Sequence, residues 1–101
     1  MRGTPAYDLQ HLQQLIGQGA LTGTVTAAAA RGASSIEFTV DQVIEAVLLL
    51  TPRDFYKTMQ SEQVPGLWQD VYRMEYQDER LYIKLQLGVD GRAYVVHFKR
   101  R

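Results

Sequence analysis

The chain has 101 residues, 46% of them hydrophobic, which suits one domain with a core. Its 11 basic and 11 acidic residues give a net charge of zero, which does not favour non-specific coating of nucleic acid. Cysteine is absent, which excludes disulfides and thiolate metal ligands. The sequence lacks an apolar stretch of the ~20 residues that a membrane span needs, and its start lacks the apolar segment of a secretory signal. We therefore expect a cytoplasmic protein without membrane contact.

The first half of the chain predicts helices. Asp8 precedes apolar residues spaced three and four apart, which is typical of a capped amphipathic helix. The alanine-rich stretch from Thr26 to Arg31 favours a short second helix, closed at Gly32. A third helix begins at Thr39, whose capping box includes the glutamine three residues on, and ends before Pro52. Its apolar residues predict a wide buried face formed by Val43, Ile44, Val47, Leu48 and Leu49.

The second half predicts β-strands. The candidates are residues 55–59, 68–76, 81–87 and 93–99. Pro65-Gly66 marks a loop, and Asp90-Gly91 is typical of a tight hairpin turn between the last two strands. A meander of antiparallel strands with helices on one face makes an α+β domain. The sequence therefore predicts a single α+β domain over residues 1–101, with N-terminal helices packed on one face of a C-terminal antiparallel sheet.

Alternation of side chains leaves the other face of this sheet polar. In the strand 81–87, leucine and isoleucine residues point to the helices, so Tyr82 and Lys84 point away from them. Extending the alternation to the other strands predicts a cationic outward face made of Lys57, Gln69, Arg73, Tyr82, Lys84, His97 and Lys99.

The same alternation makes predictions for individual strands. In the first strand it puts Phe55 and Lys57 on one side and Tyr56 on the other. In the last strand it turns Val95 outward. The alternating residues Tyr94, Val96 and Phe98 then point to the core. Asp70 falls on the apolar side of its strand, where it needs a partner unless the strand bulges.

Two interpretations of the outward face stay open from the residues alone. It can be an ordinary solvated sheet surface, with Lys84 as a solubilising charge and Trp68 and Tyr72 in the core. It can also be a site for RNA, which carries its own nucleophile in the 2′-hydroxyl and needs a base, an acid and positive charge rather than a metal. Aromatic rings beside cations suit unpaired bases. The two histidines, His11 and His97, fall on different elements and make a poor metal set.

Four runs in the second half combine aromatic residues with cations or amides. They are Asp54-Phe55-Tyr56-Lys57-Thr58-Met59, Trp68-Gln69-Asp70-Val71-Tyr72-Arg73, Leu81-Tyr82-Ile83-Lys84-Leu85 and Val96-His97-Phe98-Lys99. In this order and spacing the runs resemble the motility quorum-sensing regulator toxins, which are small RelE-like ribonucleases of bacterial toxin–antitoxin pairs.

The resemblance implies both a site and an activity. The implied catalytic residues are Lys57, Gln69 and Tyr82. The implied supporting or RNA-contacting residues are Tyr56, Met59, Arg73 and Lys99. His97 replaces a small hydroxyl residue of the family, and its role stays open. The implied activity is metal- and ribosome-independent cleavage of mRNA at short GC-containing triplets such as GCU, which arrests growth.

The resemblance also implies a partner, and it leaves alternatives. The partner is a zinc-containing antitoxin with a helix-turn-helix part, which alone contacts operator DNA. The zinc belongs to that partner, so no cofactor or metal is expected in this chain. A catalytically inactive module that binds an antitoxin and tunes operator binding is the alternative function. A toxin that needs the ribosome to place its RNA is a third possibility.

Overall fold

Three helices and a five-stranded sheet make up the computed structural model, which describes residues 3–101. The helices are α1 Leu9–Gly17, α2 Ala27–Ser35 and α3 Val40–Leu49, followed by a 3-10 turn at Pro52–Asp54. The strands are β1 Gly23–Val25, β2 Phe55–Gln60, β3 Trp68–Tyr76, β4 Glu79–Leu87 and β5 Ala93–Arg100. The predicted α+β class is confirmed. None of the helices described is long and apolar enough to cross a membrane.

The sheet is antiparallel except at one edge. Its strand order is β1-β5-β4-β3-β2, and β1 pairs with β5 in parallel. The sequence did not predict β1, because three residues are too few to show a period of two.

Local sequence fixes where the helices begin. The Asp8 carboxylate accepts a hydrogen bond from the Gln10 amide, and Thr39 forms the predicted capping box. The second helix differs from its prediction because it continues through Gly32 to Ser35. A Cβ atom at Gly32 would lie 2.1 Å from the Phe98 carbonyl oxygen, so this glycine allows α2 to approach β5 closely.

One core lies between the helices and one face of the sheet. Its fully buried members come from all three helices and the three central strands, including Leu12, Ala33, Val43, Ile83 and Phe98. The predicted wide buried face of α3 is wrong, since Leu48 and Leu49 are 45% and 56% exposed. The helix buries only the residues three and four apart that point to the sheet, and its last turn leaves these two leucines on the solvent side.

A β-bulge reverses the predicted orientation of Phe55 and Tyr56 at the start of β2, whereas Lys57 faces outward as predicted. Phe55 pairs with Tyr72, and Lys57 pairs with Val71, so Tyr56 is an extra residue without a partner in the ladder. Phe55 therefore faces the core, where its ring meets that of Tyr72 edge-on at 5.7 Å. Tyr56 and Lys57 both face outward. The prediction that Tyr56 points inward, with Phe55 on the side of Lys57, is wrong for this reason.

A second bulge has the same effect in β5. His97 pairs with Lys84 and Val95 pairs with Leu85, so Val96 is the extra residue. Val95 is fully buried in the core, and Val96 faces outward beside His97. The predicted placements of Val95 and Val96 are therefore wrong. Tyr94 also lies outside the core cluster, where its hydroxyl donates to Asp90, whereas the buried position of Phe98 is confirmed.

Asp70 has hydrogen-bond partners on the apolar side of β3, and the strand does not bulge at this residue. It is 0% exposed and pairs in register with Thr58 and Leu85. Its two carboxylate oxygens accept hydrogen bonds from the backbone amides of Ala6 and Tyr7, both at 3.0 Å. Through these two hydrogen bonds the carboxylate holds the segment before α1 against β3.

Candidate functional site

The face of the sheet opposite the helices, here called the open face, carries three rows of side chains across β2 to β5. The rows are Arg73–Tyr82–Lys99, Lys57–Val71–Lys84–His97 and Met59–Gln69–Gln86–Tyr94. Strand pairing defines these rows, except that Gln69 and Gln86 are joined by a side-chain hydrogen bond of 2.8 Å. None of these three rows contains a carboxylate, and Glu75, farther along the same face, pairs with Arg80. The three rows are therefore cationic although the whole chain is neutral.

The structure brings all seven predicted site residues to the open face: Tyr56, Lys57, Met59, Gln69, Arg73, Tyr82 and Lys99. They come from β2, β3, β4 and β5, and the bulge at Tyr56 is required for this residue to join the others. Their roles stay a prediction, and their common location is an observation.

Cations and aromatic rings alternate along the first row. The Arg73 guanidinium carbon lies 3.5 Å from the centre of the Tyr56 ring, which is close stacking. The Lys99 Nζ atom lies 4.9 Å from the centre of the Tyr82 ring. The Nε of Arg73 is buried and has no hydrogen-bond acceptor among residues 3–101. This row therefore combines aromatic rings and cations, an arrangement that suits stacking of bases and contact with phosphate oxygens.

Tyr82 keeps its proton at neutral pH. Burial raises the pKa of its phenol, the nearby Tyr56 raises it further, and Arg73 partly offsets both. The hydroxyl is therefore a hydrogen-bond donor and a proton source rather than a base.

Lys84 lies at the centre of the open face and is 8% exposed. The interpretation of this residue as a solubilising surface charge is wrong. Burial lowers the pKa of its ammonium, followed by repulsion from Lys99 and Lys57, and the carboxylate of Glu62 acts in the opposite direction. Among residues 3–101, neither a hydrogen bond nor an ion pair engages this ammonium. The centre of the site is thus a cluster of three lysines, whose positive charge the single carboxylate that acts on Lys84, Glu62, does not balance.

Sequence reasoning placed Lys84 outward and missed its importance. The sequence feature that could have indicated its central place in the site was its position on a central strand, with predicted cations on the strands to either side. Burial, however, depends on how closely the neighbouring strands and the β2–β3 loop approach, and pattern alone does not give that.

A pocket of about 190 Å³ adjoins the lysine cluster. It is lined by Met59, Ser61, Glu62, Gln63, Gln69, Lys84, Val96 and His97. Gln69 is 8% exposed, and its side-chain nitrogen donates to Gln86, so its amide is held in place at the pocket wall. The β2–β3 loop forms one side of the pocket, and the bulge of β5 forms the other. This volume is below the range of about 300–1,000 Å³ that is usual for ligand pockets.

His97 occupies the end of the middle row, directly opposite Lys84. Burial lowers the pKa of its imidazole below the ordinary value of 6.5, and the charges of Lys84 and Lys99 lower it further. The ring is therefore neutral at physiological pH. Among residues 3–101, no three histidine or carboxylate side chains lie together in an arrangement that could hold a metal ion.

The sheet and its open face define a class of protein: a small α+β domain with a cationic sheet surface flanked by aromatic rings. The sequence model of the family "motility quorum-sensing regulator, toxin of MqsA" matches residues 4–100, and the chain belongs to this toxin family. The chain is also 28% identical over 98 residues to the mRNA interferase toxin MqsR of Escherichia coli (strain K12), across 97% of this chain and 96% of that protein. The family resemblance found in the four sequence runs is confirmed.

Proposed function

We propose that the protein is an endoribonuclease and the toxin of a toxin–antitoxin pair, and that it cleaves mRNA without a metal and without the ribosome. One observation carries this proposal: the open face gathers Lys57, Gln69 and Tyr82 around an unneutralised lysine cluster. The E. coli relative is named an mRNA interferase, which supports the same activity here. Cleavage at short GC-containing triplets such as GCU, with growth arrest as the result, completes the proposal.

The chemistry follows from the groups present. The 2′-oxygen of RNA attacks the adjacent phosphorus, and the bond to the 5′-oxygen breaks, which leaves a 2′,3′-cyclic phosphate and a 5′-hydroxyl. Negative charge builds on the phosphorus oxygens in the transition state, and Lys57 stabilises it from the rim of the lysine cluster. Such charge stabilisation does not require a metal ion.

Two further groups have distinct tasks. The phenol of Tyr82 stays protonated, so it donates to the departing 5′-oxygen. The amide of Gln69, held by its hydrogen bond to Gln86, orients the ribose or the phosphate. Around them, four residues hold the RNA strand through stacking and phosphate contacts: Tyr56, Met59, Arg73 and Lys99.

The proposed partner is an antitoxin of the MqsA type, zinc-containing and with a helix-turn-helix part. The zinc belongs to the antitoxin, and operator DNA is reached only through it. The description of the family as the toxin of MqsA supports this pairing. A chain of zero net charge is consistent with a toxin that does not bind DNA on its own.

The decisive test is cleavage of a defined, ribosome-free RNA in excess EDTA, with cut sites and end groups mapped. We expect cuts at one short motif that leave 2′,3′-cyclic phosphate ends. Lys57→Ala should lower the rate about 100-fold or more, because it removes charge stabilisation of the transition state. The matched control is Arg31→Ala, which removes an exposed cation from α2, in the helical layer.

The controls separate the alternatives. Circular dichroism and thermal unfolding must show that Lys57→Ala folds as the parent does. A folded Lys57→Ala protein that cuts at the parental rate would contradict the site. A folded parent that cuts only when ribosomes are added would identify a ribosome-dependent toxin. The antitoxin-binding module would be identified if the parent cuts under neither condition and if cells tolerate its expression without a partner.

A further inference from the structure

The open face is rich in proton donors and cations and poor in proton acceptors. Three lysines and Arg73 surround the centre, and the phenol of Tyr82 keeps its proton at neutral pH. The proposed reaction needs a group that removes the proton of the 2′-hydroxyl. Neither the cationic side chains nor the phenol meets this need at physiological pH. Two proton acceptors line the pocket beside the cluster: Glu62, which is exposed on the β2–β3 loop, and His97, which is fixed in β5.

His97 is the one imidazole on this face. It pairs across the ladder with Lys84 and lines the same pocket as Lys84 and Gln69. Its only counterpart in the chain, His11, is exposed on α1 in the helical layer. The bulge at Val96 keeps His97 outward while Val95 returns to the core, so the geometry of β5 presents this ring to the pocket.

We propose that His97 is the general base of the proposed ribonuclease, and that the pocket beside it holds the ribose whose 2′-hydroxyl attacks. This inference rests on the proposed function. It adds a fourth catalytic residue to the three taken from the family resemblance, and it places the attacking side of the reaction at β5.

In this step two protons are transferred while one bond from oxygen to phosphorus forms and another breaks. The neutral imidazole of His97 takes the 2′-hydroxyl proton while the bond from the 2′-oxygen to phosphorus forms. The bond from phosphorus to the 5′-oxygen breaks, and Tyr82 supplies the proton that the leaving oxygen requires. The phosphate lies among the lysines between these two residues, and Lys99 connects them: its ammonium lies 4.9 Å from the Tyr82 ring centre and acts electrostatically on His97.

The surroundings of His97 explain how it can serve as a base. Lys84 faces it from β4 and Lys99 follows it on β5, and both lower its pKa after the larger effect of burial. Lys57 on β2 and Glu62 in the β2–β3 loop complete the charged groups around the cluster, and both act on Lys84. With these cations in place, the imidazole is free of its proton near neutral pH and ready to accept another.

The test is the pH dependence of kcat/KM for cleavage of the defined RNA by the parent, His97→Gln and the matched control His11→Gln. The parent and His11→Gln should show an acid limb, in which the rate falls as pH drops through the pKa of His97. His97→Gln should be slower by about 100-fold or more and should lack this limb. A purely structural role for His97 would lower the rate without abolishing the limb.

A second variant tests the electrostatic argument with His97 intact. Lys84→Met removes the cation with the larger electrostatic effect on His97, so the pKa of His97 should rise and the acid limb should move to higher pH. NMR titration of the imidazole reports the same change without any turnover, and a His11→Gln background leaves one histidine signal to follow. A raised pKa in the spectrum and a displaced limb in the rate together support the proposal.

The outcomes distinguish this inference from the function on which it rests. Cleavage by the parent, with His97→Gln folded and showing the parental rate and acid limb, would overturn the role of His97 and leave the ribonuclease intact. A limb that stays in place in Lys84→Met, while the NMR titration of His97 moves, would also overturn it. No cleavage by the folded parent under any condition would overturn both.

Discussion

Two buried charges lie on neighbouring strands and on opposite faces of the sheet, and their surroundings differ completely. Asp70 on β3 is 0% exposed and accepts hydrogen bonds from two backbone amides. Lys84 on β4 is 8% exposed and faces two other lysines. The first charge is satisfied by the fold, and the second is held unsatisfied by it. A buried charge with internal partners is therefore structural here, whereas the fold gives the charge surrounded by like charges no hydrogen-bond partner among residues 3–101.

The largest effect should come from removing the satisfied charge. Asp70→Ala leaves two amides of the N-terminal segment without their acceptor and opens space under β3, so the free energy of unfolding should fall by about 3 kcal/mol. Urea denaturation measures this loss. Asp70→Asn is the matched control, because it retains one acceptor oxygen and should lose less. Equal stability of Asp70→Ala and the parent would contradict the structural role.

Removing the charge of Lys84 should change the unfolding free energy in the opposite direction. Lys84→Met relieves desolvation and repulsion from Lys57 and Lys99, and we expect a gain of about 1 kcal/mol in unfolding free energy at neutral pH. RNA cleavage should fall in the same protein, because the lysine cluster loses its centre. A variant that is both less stable and fully active would break the comparison between the two charges.

The gain from Lys84→Met should also depend on pH. The pKa of Lys84 in the folded protein lies below its ordinary value of 10.5, so the unfolded chain holds this proton more tightly. Raising the pH toward about 10 therefore stabilises the parent relative to the variant, and the advantage of the variant should shrink. Parallel urea curves at neutral and alkaline pH measure this difference, and tyrosine titration cancels between the two proteins.

The smallest effect concerns a neutral polar group on the helix-covered face. The Tyr72 hydroxyl is buried and has no hydrogen-bond partner among residues 3–101. Burial raises the pKa of this phenol, with Asp70 and Asp8 adding to the effect, which indicates an unfavourable environment for charge. Tyr72→Phe should leave cleavage unchanged and raise the unfolding free energy by about 0.5 kcal/mol, as thermal or urea unfolding can measure. A clear loss of stability would indicate that the hydroxyl has a partner after all.

Alternation predicted β4 correctly and failed in β2 and β5, and the difference has a physical cause. In β4, leucine and isoleucine alternate with polar residues without interruption, so Tyr82 and Lys84 were placed correctly. In β2 and β5 one extra residue, Tyr56 or Val96, breaks the period. A bulge is a property of the pairing between two strands, and the sequence of one strand does not contain it.

The sequence predicted which residues form the candidate site better than it predicted their burial and their partners. The four sequence runs placed Lys57, Gln69 and Tyr82 together, and the structure puts them on one face. The burial of Lys84 arises from the approach of three other strands and a loop, so it depends on contacts distant in sequence. The partners of Asp70 are backbone amides 63 and 64 residues away, which a local pattern does not identify.

The two bulges also bear on protein design. In β2 and in β5 the alternation of side chains changes register once, at Tyr56 in β2 and at Val96 in β5. Transplanting the open face onto another scaffold would therefore require the extra residue of each strand as well as the functional side chains. Grafted onto a regular ladder, the same sequence would carry Phe55 to the solvent and Val95 away from the core, and the recipient would lose its packing before it gained a site.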